Sequence, residues 1–338
     1  MRAAALLLGL AVSAGTGQGA SEKWPVKEKL VGKHGKSVDV SGIACVPRQK
    51  LPYACLVIDD ELQAAQFVLV REGELEAGDL VDLIDDEKDG KPLSLDGEGV
   101  AYADGSFYVM GSHGHPRDAG KRLDPVADAE LIKAKIAASS QIVRIRLKTT
   151  DRQPLTQSDV LDIRRSPRLR EAIAVESALS PFLDRRLEDN GLTIEGIAVI
   201  GDRLFAGFRA PSVENGRAPV LSVSLRALFD GVPLDPQLFL LPLGNGRGVR
   251  DLTPFKNGLL ILAGPSGSGA GAYEVYWWTG SGESVRLLAD ITEATDASAE
   301  HKPEALLPLD QGPSGLRVLV LSDGAEEGAP RPVVIPAP

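Results

Sequence analysis

The sequence predicts an all-β protein, a β-propeller with five four-stranded blades and helical insertions on one face. The tetrad Glu-Gly-(Val/Ile)-Ala occurs twice, at residues 98–101 and 195–198. Three degenerate copies begin at Ser41, Arg250 and Glu304. A second apolar run follows each copy, and a unit that recurs five times as strand, turn, strand is typical of a radial β-architecture.

The spacing of the copies sets the number of blades. Blades are expected to start near residues 41, 98, 195, 250 and 304, so successive starts are 57, 97, 55 and 54 residues apart. A four-stranded blade takes roughly 40–50 residues, and three of the gaps therefore hold one blade each. The gap of 97 residues holds one blade with insertions or two blades, which leaves six blades as the alternative, with residues near 140–190 as the extra one.

Apolar runs in each unit predict strands, ordered from the axis outward. They are residues 43–46, 54–58, 66–70 and 80–84 in the first blade, 100–103, 107–110, 142–147 and 160–163 in the second, 197–200, 204–208, 220–225 and 238–243 in the third, 252–255, 259–263, 273–278 and 285–289 in the fourth, and 305–309, 316–321 and 333–335 in the fifth. We expect residues 29–33 to supply the missing outer strand of the fifth blade, because this pairing would close the ring and remove an exposed edge.

Two insertions, near residues 114–140 and 165–194, interrupt the repeat. Residues 126–138 lack the alternation of a strand and predict a helix. Residues 169–186 are also helix-prone, although Pro181 interrupts them. Both insertions lie on the face where the first strands begin, and loops gathered on one side of a rigid scaffold are where sites usually form.

The composition limits which kinds of binding partner are expected. The chain of 338 residues is 43% hydrophobic and 25% charged, as in ordinary globular proteins, and the repeat predicts one propeller domain over residues 21–338. The formal net charge is −10. Nucleic acids and anionic membrane surfaces attract clustered Lys and Arg, so this balance argues against both and favours a protein that can collect cations.

Residues 1–20 predict a secretory signal peptide. Arg2 supplies the positive start, an apolar stretch at residues 3–12 follows, and cleavage is expected after Ala14 or Ala20. The protein is therefore expected to be exported to the periplasm or secreted. No later run of ~18 apolar residues occurs, so no transmembrane segment is expected.

The chain has two cysteines, Cys45 and Cys55, placed symmetrically about Lys50. A regular hairpin centred there sets the two residues opposite each other, at a Cα separation of ~4.5–5.5 Å that a disulfide tolerates. Export makes the bond favourable, and two separate buried thiols are the alternative.

Propeller topology brings a set of polar residues to one axial mouth. The first strand of a blade lies nearest the axis and the second runs antiparallel to it, so the start of one and the end of the other share a face. The residues at these positions are Ser41, Glu98, Glu195, Arg250 and Glu304 at the starts, and Asp59, Asp60, Ser112, His113, Arg209, Ser266, Ser322 and Asp323 at the ends.

These residues support more than one interpretation. Glu98, Glu195 and Glu304 could hold Ca²⁺ or another divalent cation, with Asp59, Asp323 or His113 completing the shell, since hard cations take several oxygen ligands. The alternative is a ring of ion pairs that locks neighbouring blades together, with Glu195 bound to Arg250 and Glu98 bound to Arg209.

Two further roles follow from residue type. Arg209 and Arg250 could bind an anionic ligand, because a guanidinium group matches the oxygens of phosphate or carboxylate. His113 and Glu195 are the candidates for a catalytic general base. No nucleophile motif of a serine hydrolase is present.

Together with the tetrads, two segments carry a resemblance, Leu-Phe-Ala-Gly-Phe-Arg-Ala-Pro at residues 204–211 and Leu-Leu-Ile-Leu-Ala-Gly-Pro-Ser-Gly at residues 259–267. The chain resembles, from about Ser41 to Asp323, a family of bacterial proteins catalogued as a domain of unknown function. The resemblance implies a β-propeller and no particular reaction. Through the tetrads alone, the chain is also similar to phytase-like and esterase-like propellers.

Two functions are therefore expected. The first is binding of a small polar or anionic molecule, or of a protein, at the charged mouth, where Glu98, Glu195, Arg209, Arg250, Glu304 and Asp323 would form the site. The second is a metal-dependent hydrolase of esters or phosphoesters.

Overall fold

Five antiparallel sheets surround a common axis in a β-propeller. The computed structural model describes residues 21–117 and 122–338, so the expected signal segment lies outside the described residues. The innermost strand of each blade contacts the innermost strands of both neighbouring blades, and the fifth blade contacts the first. The ring is therefore closed with five blades, and the six-blade alternative is wrong.

Each blade begins with its innermost strand, and its other strands follow outward in chain order. The bounds are Val40–Cys45, Tyr53–Asp59, Ala64–Arg71 and Glu74–Asp82 in the first blade, Gly97–Ala103, Ser106–Gly111, Ile142–Leu147 and Val160–Ser166 in the second, Thr193–Ile200, Arg203–Ala210, Ala218–Ser224 and Gln237–Leu241 in the third, Arg247–Phe255, Gly258–Pro265, Glu274–Trp278 and Val285–Asp290 in the fourth, and Lys302–Gly312, Gly315–Asp323 and Arg331–Ile335 in the fifth.

The N-terminal segment does not complete the fifth blade, contrary to the sequence prediction. Strand Val26–Lys27 instead pairs in parallel with the outer strand of the first blade, while Val31–Gly32 and Gly35–Lys36 form a small hairpin. The physical reason lies at Trp24, whose indole packs in the core shared by the first and fifth blades. Its backbone N–H donates to Pro330 O at 2.7 Å. Residues 21–27 thus cross from the fifth blade to the edge of the first, and the fifth blade keeps three strands among the described residues.

The helices lie in the expected insertions, with one addition. Helix α1 spans Ala129–Ser139, α2 spans Leu169–Val175 and α3 spans Leu225–Asp230. Short 3₁₀ turns occur at Gln157–Asp159, Ser180–Phe182, Leu187–Asp189 and Glu326–Gly328, and a second small hairpin joins Glu87–Lys88 to Lys91–Pro92. None of the helices in the described ranges is long and apolar enough to cross a bilayer.

Both predicted helices are shorter than expected. Residues 125–128 form turns, because Asp124 Oδ1 accepts the N–H groups of Val126 and Ala127 at 2.8 Å, and α1 begins only after them. The second segment stops being α-helical at Val175, and Pro181 lies in a 3₁₀ turn. α3 was not predicted, because its six residues continue an apolar strand pattern.

The core divides into five hydrophobic clusters in the described part of the chain, one at each contact between neighbouring blades. Glycine at the second tetrad position allows the innermost strands to approach closely. A Cβ atom on Gly42 would lie 2.9 Å from Gly99 Cα, and one on Gly99 would lie 2.7 Å from Ile197 Cγ2. The repeated glycine of the tetrad is therefore a requirement of ring packing.

Cys45 and Cys55 form a disulfide in the first hairpin, with their Cα atoms 3.9 Å apart. The two residues are directly opposed in the register of the innermost and second strands of the first blade. Val46 N–H donates to Ala54 O at 2.9 Å just beyond this pair, and the peptide bond between Leu51 and Pro52 in the turn is cis.

Candidate functional site

The first residue of every tetrad lies on a β-bulge. In each blade the pairing between the innermost and second strands skips one residue of the innermost strand, so that this residue has no partner opposite it. The skipped residues are Ser41, Glu98, Glu195, Arg250 and Glu304. A bulge turns a side chain away from the regular pleat, and here all five side chains are buried.

Three of these residues form a buried ion-pair cluster that joins three blades. Arg250 Nε lies 2.9 Å from Glu195 Oε2, and Arg250 Nη2 contacts Glu304 Oε1. Ser41 Oγ donates to Glu304 Oε2 at 3.3 Å, and Arg209 Nη1 donates to Glu195 Oε1 at 2.7 Å. We call Ser41, Glu195, Arg209, Arg250 and Glu304 the axial ion-pair cluster.

The two arginines of the axial ion-pair cluster are engaged in different ways, Arg250 by ion-pair contacts with Glu195 and Glu304 and Arg209 by hydrogen bonds. Arg209 Nε and Nη2 donate to the carbonyl groups of Ser266 and Gly267 at 3.2 and 2.8 Å. Arg209 and Arg250 are 3% and 0% exposed. Burial and the nearby charge of Arg209 lower the pKa of Arg250 from its usual value. These two arginines therefore hold blades together rather than face an anionic ligand from solvent.

Asp251 connects the innermost strands of the fourth and fifth blades beside this cluster. Its carboxylate accepts the N–H of Leu252 at 2.8 Å and the N–H of Leu306 at 2.7 Å. Burial raises the pKa of Asp251 well above its usual value, and the two backbone hydrogen bonds oppose that rise. The residue stands where the complete tetrads carry glycine, which explains why the fourth repeat is degenerate.

Glu98 belongs to a different group. Carboxylate oxygens of Asp60, Asp96 and Glu98 lie within 4.8 Å of one another. Arg117 Nη2 lies 3.4 Å from both Glu98 Oε1 and Asp60 Oδ2. Burial raises the pKa of Glu98 well above its usual value, and the charges of Glu195 and Asp96 raise it further. A Cβ atom on Gly99 would lie 3.1 Å from Glu195 O, so this group lies next to the axial ion-pair cluster.

The Asp60 side chain links the first group to a second one. Oxygens of Asp39, Asp59 and Asp60 also lie within 4.8 Å of one another. Burial raises the pKa of Asp60 well above its usual value, with a further contribution from Asp96 and an opposing one from Arg117. Burial likewise raises the pKa of Asp59 to about 6, although Ser37 Oγ at 2.6 Å and the N–H of Glu61 at 3.0 Å donate to it.

These two carboxylate groups border a cavity of about 390 Å³, which we call the acidic cleft. It is lined by Lys33, Asp39, Asp60, Glu61, Ser94, Asp96, Pro116, Arg117, Lys135, Ser139, Lys302 and Asp323. Most of its cations already have acidic partners: Lys33 lies 3.1 Å from Glu61, and Lys302 lies 2.8 Å from Asp323. Lys135 and Ser139 belong to α1, so the predicted helix borders the site.

The structure separates the sequence-predicted metal ligands into two sets. Glu195 and Glu304 bind arginine in the axial ion-pair cluster, whereas Glu98 and Asp59 lie in the carboxylate groups at the acidic cleft. Glu98 pairs with Arg117, not with Arg209 as the ion-pair alternative expected. The residues that could hold a divalent cation are therefore Asp39, Asp59, Asp60, Asp96 and Glu98, whose oxygens suit Ca²⁺.

His113 is poorly placed to act as a general base. It is 1% exposed, its Nδ1 lies 2.9 Å from Gly111 O, and its Nε2 is buried without a hydrogen-bond partner in the described part of the chain. Burial lowers the pKa of His113 to about 4. The imidazole is thus neutral at physiological pH and sealed from solvent.

Sequence reasoning missed Asp39, Asp96, Lys302 and Arg117. The first three stand two residues before the tetrads that begin at Ser41, Glu98 and Glu304. Alternate residues of a strand face the same way. A polar residue two positions before a tetrad therefore indicates a side chain at the same mouth of the axis. Arg117 comes from the inserted loop, where nothing in the local pattern indicates that it folds back to Glu98.

The chain has distant similarity to several solved structures. The exo-β-1,3-galactanase from Phanerochaete chrysosporium is 9% identical, with a TM-score of 0.47, and the match covers 94% of this chain and 63% of that one. A β-1,3-galactosidase is 7% identical, with a TM-score of 0.46 and coverage of 94% and 59%. A protein from Lactobacillus plantarum is 10% identical, with a TM-score of 0.36 and coverage of 85% and 78%.

The match spans less than two thirds of the length of the two sugar-cleaving enzymes. No protein of curated function matches the sequence. A family model matches residues 56–330, which is most of the chain. The chain therefore belongs to the family described as "Protein of unknown function (DUF3616)".

Proposed function

We propose that this protein binds a small, positively charged polar ligand in the acidic cleft. The observation that supports the proposal is the excess of buried and half-buried carboxylates over cations. Asp60 and Glu98 share the single guanidinium of Arg117, and Asp39 and Asp96 have no ion-pair partner in the described part of the chain. Carboxylates crowded in a partly buried site favour a bound cation, because their charge is otherwise costly.

An anionic ligand is less well supported. The expected anion-binding residues, Arg209 and Arg250, are buried and engaged with carboxylates and carbonyl groups. Lys33, Arg117 and Lys302 each pair with a carboxylate of the cleft. A cationic ligand can replace or join these cations without leaving another carboxylate unpaired.

Calorimetric titration tests the proposal with three probes: spermidine, CaCl₂ and inorganic phosphate. We expect spermidine to bind and phosphate not to bind. Asp60→Asn should weaken spermidine binding about tenfold, the effect of losing ~1.4 kcal/mol of attraction. Arg117→Met should strengthen it, because the competing guanidinium is gone. The matched control is Asp162→Asn, an aspartate that pairs with Arg146 and Arg164 on the outer strand of the second blade.

Phosphate binding without spermidine binding would refute the proposal. Equal weakening in Asp60→Asn and Asp162→Asn would also refute it, because the effect would then be one of overall charge.

A second candidate function is metal-dependent hydrolysis of an ester or phosphoester. It is favoured by the two overlapping carboxylate groups, Asp39–Asp59–Asp60 and Asp60–Asp96–Glu98. A divalent cation held there would polarise the substrate oxygen and lower the pKa of a bound water.

Metal analysis and turnover separate the two candidates. The hydrolase hypothesis expects stoichiometric Ca²⁺ or another divalent metal and cleavage of p-nitrophenyl acetate or phosphate that a chelator abolishes. Glu98→Gln should remove both metal and turnover. If a metal-free and inactive protein binds spermidine, the binding function is supported and the hydrolase function is refuted.

Export is also part of the proposal. It rests on the signal-like composition of residues 1–20, and the Cys45–Cys55 disulfide supports it, because such bonds persist in oxidising compartments. N-terminal sequencing of protein recovered outside the cytoplasm would test this. A cytoplasmic protein that keeps Met1 would contradict it.

A further inference from the structure

A second cavity lies at the opposite end of the propeller axis. Its volume is about 460 Å³, within the range of roughly 300–1,000 Å³ that small-molecule sites occupy. All five blades contribute to its wall through the ends of their innermost strands, for example Ala44, Ala101, Val199, Thr253 and Leu307. The acidic cleft is built at the starts of those strands, and the two cavities share no lining residue.

The wall of this second cavity is largely apolar and aromatic. Tyr53, Tyr102 and Phe255 line it together with the aliphatic strand ends. The Tyr53 hydroxyl donates to Leu309 O at 2.5 Å, so this polar group is already satisfied. The surface that remains open suits a flat apolar group, since aromatic side chains pack favourably against ring edges and faces.

The charged residues that line this cavity have one sign. Arg48 and Lys256 are the charged residues of the lining, and no carboxylate lines the cavity. Arg48 Nη2 donates to the carbonyl groups of Thr150 and Asp151, both at 3.0 Å, which fixes its position, and Arg48 forms no ion pair in the described ranges. Lys256 Nζ lies 5.3 Å from the centre of the Phe255 ring and forms no ion pair in the described ranges.

We propose that this cavity is a second binding site, specific for a small aromatic monoanion. The ring of the ligand would lie against Tyr102 and Phe255, inside the strand ends. Its carboxylate or sulfonate would face Lys256 and Arg48 at the rim. An apolar pocket with a few charged groups at one end is the usual arrangement for orienting such an amphipathic ligand. The inference is independent of the proposed function, which concerns cations at the other end of the axis.

A pair of probes with the same ring and opposite charge tests the proposal. We expect 1-naphthalenesulfonate to bind the wild-type protein in calorimetry at least tenfold more tightly than 1-naphthylmethylammonium. Lys256→Glu should reverse this preference, and Thr253→Trp should block both probes by filling the cavity. The matched control is Lys91→Glu, which changes an exposed lysine that is absent from the lining of the cavity. It should leave both affinities unchanged.

The comparison of the two probes needs only the wild-type protein, so it holds even if a variant fails to fold. Equal affinities for the two probes would overturn the proposal. Sulfonate binding that persists unchanged in Thr253→Trp would also overturn it, because the probe would then bind elsewhere. If Lys91→Glu and Lys256→Glu change the probe affinities equally, the proposal is also overturned, because the probes then respond to the net charge of the protein.

Discussion

Arg250 and Glu195 form an ion pair across the boundary between the third and fourth blades. Arg250 Nε lies 2.9 Å from Glu195 Oε2, and the two side chains are 1% and 2% exposed. Removing either charge from water costs several kcal/mol, which the partner offsets only while it is present. The two residues therefore stabilise the ring as a unit.

We expect Arg250→Met to lower the free energy of unfolding by about 3–5 kcal/mol, because Glu304 and one oxygen of Glu195 would lose their buried cation. The double variant Arg250→Met with Glu195→Gln should lose less free energy of unfolding than the two single variants lose together. Urea denaturation followed by tryptophan fluorescence measures each value.

The control for this pair lies on the surface. Glu283→Gln removes the partner of Arg217 in an exposed ion pair, and such pairs contribute ~0–1 kcal/mol. If Arg250→Met and Glu283→Gln lower the free energy of unfolding by similar amounts, the axial ion-pair cluster does not stabilise the ring more than an exposed ion pair does.

Asp59 predicts a pH dependence of stability. Burial raises its pKa from 3.8 to about 6 in the folded protein. A carboxyl group whose pKa is higher in the folded state contributes stability below pH 3.8, and this contribution is lost as the pH rises through about 6. Asp59→Asn cannot ionise, so the stability of the wild type relative to this variant should fall between pH 4 and pH 6, by up to about 3 kcal/mol.

Urea midpoints of both proteins at pH 4, 5, 6 and 7 measure this difference. Asp162→Asn provides the comparison, because Asp162 pairs with exposed arginines. If the urea midpoints of wild type and Asp59→Asn differ by the same amount at pH 4 and pH 6, burial does not destabilise the ionised Asp59 carboxyl group.

The ring and the cluster at its axis could be predicted because both depend on patterns within one blade. Alternation, turn residues and the tetrad repeat locate each innermost strand, and topology then brings Glu195, Arg250 and Glu304 together. The position of strand Val26–Lys27 could not be predicted this way. Its partners, Leu75 and Glu76, are far along the chain, and two residues carry too weak a pattern to choose between two sheet edges.

The acidic cleft was only partly predictable for a similar reason. Asp59, Asp60, Glu98 and Asp323 follow from topology, whereas Arg117 reaches the cleft through an insertion. The sequence also leaves open which carboxylate each arginine takes. That choice depends on side-chain distances of a few ångströms, as in the pairing of Arg209 with Glu195 rather than Glu98.

The disulfide predicts a redox effect on stability. Cys45 and Cys55 are separated by ten residues, and closing a loop of about this length stabilises a protein by ~2–3 kcal/mol through the unfolded state. Reduction should therefore lower the free energy of unfolding by this amount. The variant Cys45→Ser with Cys55→Ser should match the reduced wild type and should not respond to reductant. A response of the double variant to reductant would contradict the assignment.

The tetrad glycine predicts a steric effect in the ring. A Cβ atom on Gly196 would lie 2.8 Å from Val249 Cγ1 and 2.9 Å from Leu252 N, which belong to the innermost strand of the fourth blade. We expect Gly196→Ala to lower the free energy of unfolding by about 1–3 kcal/mol, because the two innermost strands must move apart. Gly269→Ala is the matched control, since a Cβ atom there meets nothing within 4 Å, and it should be neutral or slightly stabilising. Urea denaturation measures both, and a neutral Gly196→Ala would mean that the neighbouring strand can shift by several tenths of an ångström without cost, which the close packing of the ring does not allow.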